Sequence, residues 1–190
     1  MGNLTDHFAG GGSDSSILEF IKFRADGRVI TTLANGDVTT ENPTTTTAAT
    51  TSYQNLPGSN FSYIPPSGTK YVTYKCLSSY YHADASNLAH YCVGLDSTNI
   101  DHTKMTWYKG TNYQGQWITE GTIEIDSSFT DSIANGQLSS WTTAKTLQCR
   151  FREYTSSYEI VANDRYYLDG GGTSGEARVF KPIIEIIAHK

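Results

Sequence analysis

The chain has 190 residues, of which 37% are hydrophobic and 17% charged, and its formal net charge is −5 at pH 7. This length accommodates one full-sized domain with an appendage rather than two independent domains. The negative charge and the lack of clustered Lys and Arg exclude a nucleic-acid binder. No apolar run reaches the roughly 18 residues of a membrane span, so we expect no membrane among the partners.

The remaining composition favours β-structure. Ser, Thr, Gly and Asn are abundant, and the chain carries 13 Tyr, 7 Phe and 3 Trp. β-Branched Thr and aromatic Tyr fit pleated surfaces, whereas Gly, Asn and Ser fit turns. A disordered chain would hold fewer aromatic residues. The composition therefore predicts an all-β fold.

Residues 1–60 differ from the rest of the chain and form the first of two predicted regions. They hold a Gly-rich stretch, an apolar β-prone segment and a Thr-rich run at 44–51 that we expect to be an extended connector. Asp26-Gly27 and Asn35-Gly36 tolerate the positive φ of tight turns. These turns separate three predicted short strands, at 17–24, 29–33 and 38–40.

Three strands of this length cannot bury enough apolar area to be stable alone. They need a partner surface, which is either the second region of the chain or another subunit. We favour another subunit, so residues 1–60 are predicted to be an attachment arm with short β-hairpins. The side chains predicted to contact the partner are Ile17, Phe20, Ile21, Phe23, Val29, Ile30 and Leu33.

Residues 61–190 show a regular series of strand patterns. Trp117 and every second residue after it are predicted to face the core; Leu147 and Cys149 are also predicted to face inward, and Gln148 outward. Alternation with one polar face indicates antiparallel sheets, and we predict a jelly-roll-like antiparallel β-sandwich over this region. The predicted strands lie at 70–81, 88–96, 103–109, 116–126, 146–154, 158–168 and 179–188.

The residue patterns do not indicate catalysis. The Gly-rich run at 170–175 lacks the Lys that follows the last Gly of a phosphate loop, and we interpret it as a hairpin loop. Glu120 and Glu124 share the outward face of one predicted strand, where a solvated surface explains them better than a glycosidase pair. We therefore predict a non-enzymatic chain with no catalytic residue and no cofactor.

His82, Asp84 and His90 form the one cluster of residue types that bind metals. A metal site needs at least three converging ligands held by further hydrogen bonds. Nothing in the sequence supplies that support, so we interpret these three residues as solvated loop residues and predict no metal site.

The three cysteines, Cys76, Cys92 and Cys149, are odd in number and widely spaced. This pattern suits buried free thiols in a protein assembled in a reducing cytoplasm. A single disulfide between two of them stays open as an alternative.

Several aromatic residues are candidates for a sugar-stacking surface or a subunit interface, where Tyr and Trp are enriched. Packing in the core and across strands explains more than half of them. Sugar binding therefore stays an alternative to a purely structural role. The residues are Tyr80, Tyr81, Trp107, Tyr108, Tyr113, Trp117, Tyr166 and Tyr167.

Four stretches of the chain resemble virion structural proteins of tailed phages, especially cyanophages. They are ILEFIKFRADGRVITTLANGDVTT (17–40), SYIPPSGTKYVTY (62–74), SWTTAKTLQCRFREYTSSY (140–158) and YYLDGGGTSGEARVFKPIIEIIA (166–188). The resemblance implies a jelly-roll-like domain on the particle, as a head decoration protein or a tail-fibre component, often trimeric. It implies no catalytic residue.

The resemblance and the predicted arm together favour a capsid decoration or cement protein that binds the major capsid protein or another virion protein through residues 1–60. We expect a homotrimer, located in the virion after assembly in the host cytoplasm. The alternative is a tail-fibre or receptor-binding component that contacts a host-surface glycan. A carbohydrate-binding module of a cellular protein is a third hypothesis, and its usual signal peptide is not evident in the polar N-terminal residues.

Overall fold

The computed structural model describes residues 16–82, 87–109, 113–156, 160–167 and 176–190. Within these ranges the regular structure is almost entirely β. The strands are β1 (Ile17–Arg24), β2 (Val29–Thr32), β3 (Gly36–Thr39), β4 (Thr47–Ala48), β5 (Gln54–Asn55), β6 (Phe61–Tyr63), β7 (Tyr71–His82), β8 (Asn87–Leu95), β9 (Thr98–Asn99), β10 (Met105–Lys109), β11 (Tyr113–Ile125), β12 (Gln137–Leu138), β13 (Lys145–Glu153), β14 (Ile160–Ala162), β15 (Asp164–Tyr167), β16 (Glu176–Val179) and β17 (Ile183–His189).

The larger of the two main sheets has the strand order β1-β17-β7-β11-β12. The long strand β7 lies at its centre, antiparallel to β17 on one side and to β11 on the other. Ile183, the first residue of β17, pairs with Leu77 of β7. Farther along the same edge of β7, β14 takes the place of β17, and β4 pairs with β14. The short strand β12 runs parallel to the end of β11.

The second main sheet has the order β10-β8-β13, with β5 and β6 pairing at different points along the outer edge of β13. The two sheets pack face to face, and the side chains between them form one hydrophobic core. Cys149 of β13 donates its thiol to the Thr119 hydroxyl of β11 over 3.4 Å, which marks the contact between the sheets. Gly121 is needed here because a Cβ atom would lie 2.4 Å from Thr103 and 3.1 Å from Val93.

The all-β class and the antiparallel sandwich predicted from the sequence are confirmed. Residues 117, 119, 121 and 123 of β11 are buried as the alternation predicts, because they face the opposite sheet. Gln148 is an exception, since it is buried although it was predicted to face solvent. It lies on the outer face of β13, and a Cβ atom at Gly94 would come within 3.1 Å of its amide nitrogen.

Two of the predicted strands are each interrupted once. The predicted strand at 158–168 is divided at Asn163, whose φ of 59° ends β14 before β15 begins. The predicted strand at 179–188 is divided at Pro182, which has no backbone N–H to donate to a sheet. A separate two-stranded sheet joins β15 and β16.

Residues 16–60 contribute strands to both main sheets. β1 is an edge strand of the larger sheet and pairs with β17, while β5 and β6 pair with β13 of the other sheet. Gly27 has the positive φ of 84° predicted for its turn, but that turn does not pair β1 with β2. Instead β2 pairs with β3 in a two-stranded sheet. The sequence separated residues 1–60 from the sandwich, whereas its described part packs along the side of the sandwich.

The three cysteines are all buried, and each is a free thiol in the structure. Burial raises the pKa of the Cys92 thiol to about 12, and burial beside Cys149 raises that of Cys76. The thiols of Cys76 and Cys92 are therefore protonated, and all three cysteines act as small apolar core residues. Among the described residues no helix is both long and apolar enough to cross a membrane.

Candidate attachment surface

The seven residues predicted to contact a partner fall into two groups. Ile21 and Phe23 point into the core, and Ile30 packs against it. The other four are exposed: Ile17 by 45%, Phe20 by 42%, Val29 by 55% and Leu33 by 70% of their surface. We refer to these four side chains, on β1 and the β2–β3 hairpin, as the apolar segment.

The period of two along β1 explains this division. Glu19, Ile21 and Phe23 point inward, and Phe23 packs on Phe61 of β6 with ring centroids 4.8 Å apart. Phe20 lies on the opposite face of the strand and reaches solvent. A backbone irregularity between Ile17 and Glu19 takes Ile17 out of this alternation and exposes it.

A buried carboxylate fixes the β2–β3 hairpin to the sandwich. Glu19 accepts a hydrogen bond from the Tyr63 hydroxyl at 2.7 Å and another from the Leu33 backbone N–H at 2.7 Å. Burial beside this carboxylate raises the pKa of Tyr63. At the same turn the Asn35 amide donates to the Ser62 carbonyl at 3.2 Å. The hairpin is therefore held in one orientation, with Leu33 at its exposed tip.

A second carboxylate ties the chain after the hairpin to the sandwich. Glu41 accepts hydrogen bonds from the Gly58 N–H at 2.6 Å and from the Asn60 amide at 2.6 Å. Gly58 has a φ of 87°, and a Cβ atom there would lie 2.9 Å from Pro43 and from Pro182. The Thr-rich run predicted to be an extended connector therefore leads into a segment that packs closely on the sandwich.

The metal-ligand types singled out in the sequence do not converge. His82 points into the core and is fully buried, contrary to the predicted solvated position. His90 lies on the outer face of β8, where its Nδ1 lies 2.9 Å from the Thr106 hydroxyl. Asp84 and the Gly-rich run at 170–175 lie outside the described residues. The part of the chain that the structure describes contains no cluster of three metal-binding side chains.

Of the eight aromatic residues considered for sugar stacking, the structure describes the side chains of five, and three of these five pack in or against the core. Tyr80 and Trp117 are buried and meet edge to face, with ring centroids 5.6 Å apart, and Trp107 packs on Trp117 at 5.0 Å. Tyr108 is exposed and Tyr81 half-buried. The side chains of Tyr113, Tyr166 and Tyr167 lie outside the described part of the structure. Core packing therefore accounts for the largest of these rings.

The sequence analysis missed a row of charges across the outer face of the larger sheet. Lys22 of β1, Glu185 of β17, Lys75 of β7 and Glu120 of β11 are directly opposite one another in register. Lys22 contacts Glu185 at 3.2 Å, and Lys75 contacts Glu120 at 3.8 Å. Only the pairing of strands that are distant in the sequence brings these four residues together. We refer to them as the charge row.

No protein-family model matches the chain, and no curated protein matches it. A search of solved structures finds chains from infectious bursal disease virus. Its Gx strain structure gives 10% identity over 86% of this chain and 37% of that chain, with a TM-score of 0.28. Its VP2 subviral particle gives 11% identity over 86% and 38%, with a TM-score of 0.28. The chain thus spans less than two-fifths of these viral chains, and the function proposed below is inferred from its own residues.

Proposed function

We propose that the chain is a non-enzymatic structural protein of a tailed-phage virion, and that it binds the head as a decoration or cement protein. The observation that carries this proposal is the concentration of exposed apolar side chains in residues 17–33. Of the nine exposed large hydrophobic side chains among the described residues, four are those of the apolar segment. Exposed apolar groups concentrated in this way are typical of a surface that a partner covers.

The way the apolar segment is held supports a binding role. A partner loses less affinity to ordering costs when the surface it meets is already rigid. The hydrogen bonds from Tyr63 and Leu33 to Glu19 provide that rigidity, because they anchor the hairpin at its tip. Burying Val29 and Leu33 against a partner would contribute about 1.5–3 kcal/mol for each side chain.

The proposed partner is the major capsid protein or another virion protein, in keeping with the sequence resemblance described above. That resemblance also implies a homotrimer, which stays a prediction. The three buried free thiols are compatible with assembly in the reducing cytoplasm of a host. The attachment surface is proposed to comprise the apolar segment, which lies within the predicted arm of residues 1–60.

Binding to purified phage heads that lack this protein tests the proposal. We expect the double variant Val29→Ser/Leu33→Ser to bind at least about 30-fold more weakly than the unaltered chain, because two apolar contacts are lost. The matched control is Met105→Ser, an exposed apolar residue on β10 of the other sheet. The affinity of this control should be unchanged, and cryo-electron microscopy of decorated heads should place residues 17–33 against the shell.

Equal binding by the unaltered chain and the double variant would contradict attachment through this segment. Density for the chain only on the tail would contradict the head location and favour the alternative function, a tail-fibre or receptor-binding component. One observation supports that alternative: Tyr108 and Tyr154 are exposed by 61% and 53%, as the aromatic residues of a sugar-stacking surface would be. A glycan-binding screen with Tyr108→Ala and Tyr154→Ala would then test it.

A further inference from the structure

The outer face of the larger sheet carries the charge row across four neighbouring strands. From β1 to β11 the row reads Lys22, Glu185, Lys75 and Glu120, so the sign of the charge alternates at every strand. The outermost members, Lys22 and Glu120, are more than half exposed. Exposed ion pairs of this kind contribute little to the stability of a single chain. Their regular alternation is therefore better explained by contact with a second surface.

The rows on either side of the charge row are less polar. One neighbouring row lies two positions along the strands from the charge row, toward one end of the sheet. It is formed by Phe20, Ile187, Thr73 and Thr122. The other neighbouring row lies two positions from the charge row in the opposite direction. It is formed by Arg24, Ile183, Leu77 and Ile118.

Phe20 and Ile118 are the most exposed apolar members of these rows, at 42% and 50%. The face is thus a stripe of alternating charge between two rows that hold apolar side chains.

We propose that this face binds a second copy of the same chain, through a two-fold axis that runs parallel to the strands between β17 and β7. Such an axis places β1 over β11 of the second copy and β17 over β7. Lys22 then faces Glu120 of the second copy, and Glu185 faces Lys75. All four members of the charge row meet an opposite charge, and Ile183 meets Leu77 beside them.

The order of the charges selects this axis over the alternative. A two-fold axis that runs across the strands, along the charge row, would place Lys22 on Lys22 and Glu185 on Glu185 of the second copy. Like charges facing each other across an interface cost several kcal/mol. An axis parallel to the strands inverts the row, and an alternating row of four charges inverted in this way is complementary to itself.

The dimensions of the face predict a weak, reversible dimer. Four strands about 4.8 Å apart and seven residues long give a face of about 19 Å by about 24 Å. Stable interfaces bury about 800 Å² on each partner, so this face lies below the standard size. Sheets that pack face to face are rotated by about 30°, and the pair of Glu185 with Lys75 tolerates this best because it lies nearest the axis.

Sedimentation of the full chain over a range of concentrations tests the proposal. We expect the unaltered chain to show a monomer–dimer equilibrium and Glu185→Lys to raise the dimer dissociation constant by at least about 30-fold, since two Lys–Lys contacts form in each dimer. Thermal unfolding and circular dichroism check that Glu185→Lys is folded. Thr106→Lys introduces a lysine on β10 of the other sheet and should leave the equilibrium unchanged.

A variant in which the sign of every charge in the charge row is reversed gives a sharper test. The variant Lys22→Glu/Glu185→Lys/Lys75→Glu/Glu120→Lys keeps the alternation, so it should dimerise with itself. It should not pair with the unaltered chain, because every facing charge would then be of like sign. Because the exchange leaves the amino-acid composition and therefore the mass unchanged, the variant is labelled uniformly with ¹⁵N. Native mass spectrometry of its equimolar mixture with the unlabelled, unaltered chain is expected to show two homodimers and less than about a tenth of the heterodimer expected from random pairing.

Three results would overturn the proposal. One is a monomer at every concentration, and another is a heterodimer population at the random level. The third is an oligomer, for example the trimer implied by the sequence resemblance, whose dissociation is unaffected by Glu185→Lys. If the unaltered chain is monomeric and Glu185→Lys abolishes binding to phage heads, the face binds a different protein and the second-copy proposal is wrong.

Discussion

The inward face of β7 contacts two regions of the core that differ in hydrogen bonding. Buried polar groups near the start of the strand are hydrogen-bonded, whereas several near its end are not. Near its start, the Tyr74 hydroxyl donates to the Ser59 carbonyl at 2.6 Å, and the Ser59 hydroxyl accepts from the Cys149 N–H at 3.0 Å. At its end, neither ring nitrogen of His82 has a hydrogen-bond partner among the described residues. The same holds for the hydroxyl of Ser78.

The difference follows from what packs on each region. The first region is covered by residues from β1 to β6, which supply carbonyl and carboxylate acceptors, among them Ser59 and Glu19. The second region is filled by aromatic rings, and Tyr80 meets His82 edge to face with centroids 5.0 Å apart. Rings fill volume but offer few acceptors. The comparison shows that residues 16–60 complete the hydrogen bonding of the core as well as presenting the apolar segment.

Removal of the buried carboxylate of Glu19 should change the stability of the chain more than the other substitutions considered below. Glu19→Ala leaves the Tyr63 hydroxyl and the Leu33 N–H without their acceptor, and each buried unsatisfied group costs about 1–3 kcal/mol. We expect the free energy of unfolding to fall by about 4 kcal/mol in urea titrations. Glu124→Ala, at an exposed position on β11, should change it by less than about 0.5 kcal/mol. An equal effect of the two substitutions would contradict the anchoring role of Glu19.

Acidification should weaken the fold through the other region. Burial lowers the pKa of His82 to about 4, from about 6.5 in the unfolded chain. Between these pH values the unfolded chain binds a proton here that the folded chain does not, so stability falls as the pH falls. The loss attributable to His82 between pH 7.5 and pH 4 is about 3 kcal/mol.

The difference in unfolding free energy between the unaltered chain and His82→Leu isolates this loss, because other groups titrate in both chains. The advantage of the Leu variant should widen by about 3 kcal/mol from pH 7.5 to pH 4. A constant difference across that range would show that His82 does not titrate in this interval.

The smallest effect is expected for His82→Leu at neutral pH. Whether this substitution raises or lowers the free energy of unfolding is informative. His82→Leu replaces a buried imidazole that has no hydrogen-bond partner among the described residues with an apolar side chain of similar size. Such a replacement is neutral or stabilising, and we expect a gain of about 1 kcal/mol at pH 7.5 in urea titrations. His90→Leu removes an imidazole that lies beside a hydroxyl, so it should not stabilise the chain. A loss of stability in His82→Leu would indicate that His82 has a partner in the folded protein.

Local sequence patterns predicted the individual strands well and their partners poorly. The prediction at 70–81 matches β7 (Tyr71–His82) within one residue, because period-two burial is visible within a single strand. The pairing of β1 with β17 joins segments at opposite ends of the sequence, and no local signal encodes it. This is why the sequence assigned the first strand to a separate arm rather than to the edge of the larger sheet.

For the candidate surface too, the sequence could indicate features within one strand but not those that depend on strand pairing. Alternation along β1 could have distinguished Phe20, which is exposed, from Ile21 and Phe23, which are buried, once one face was known to meet the core. His82 was interpreted as a solvated loop residue just beyond the strand predicted at 70–81. Its burial follows from its position on the inward face of β7, which ends one residue later than predicted. The charge row needs the register of four strands, which only the fold supplies.

The pairing of β1 with β17 also bears on when the apolar segment becomes available. Phe20 lies opposite Ile187, so the strand that carries Phe20 leaves the ribosome long before its neighbour in the sheet is synthesised. A contact between such distant segments closes late in folding, because the entropy of closing a long loop must be overcome first. An unfinished nascent chain therefore cannot display the native edge of this sheet. Only chains translated as far as β17 can present it, so under the proposed function truncated products would lack a complete attachment surface.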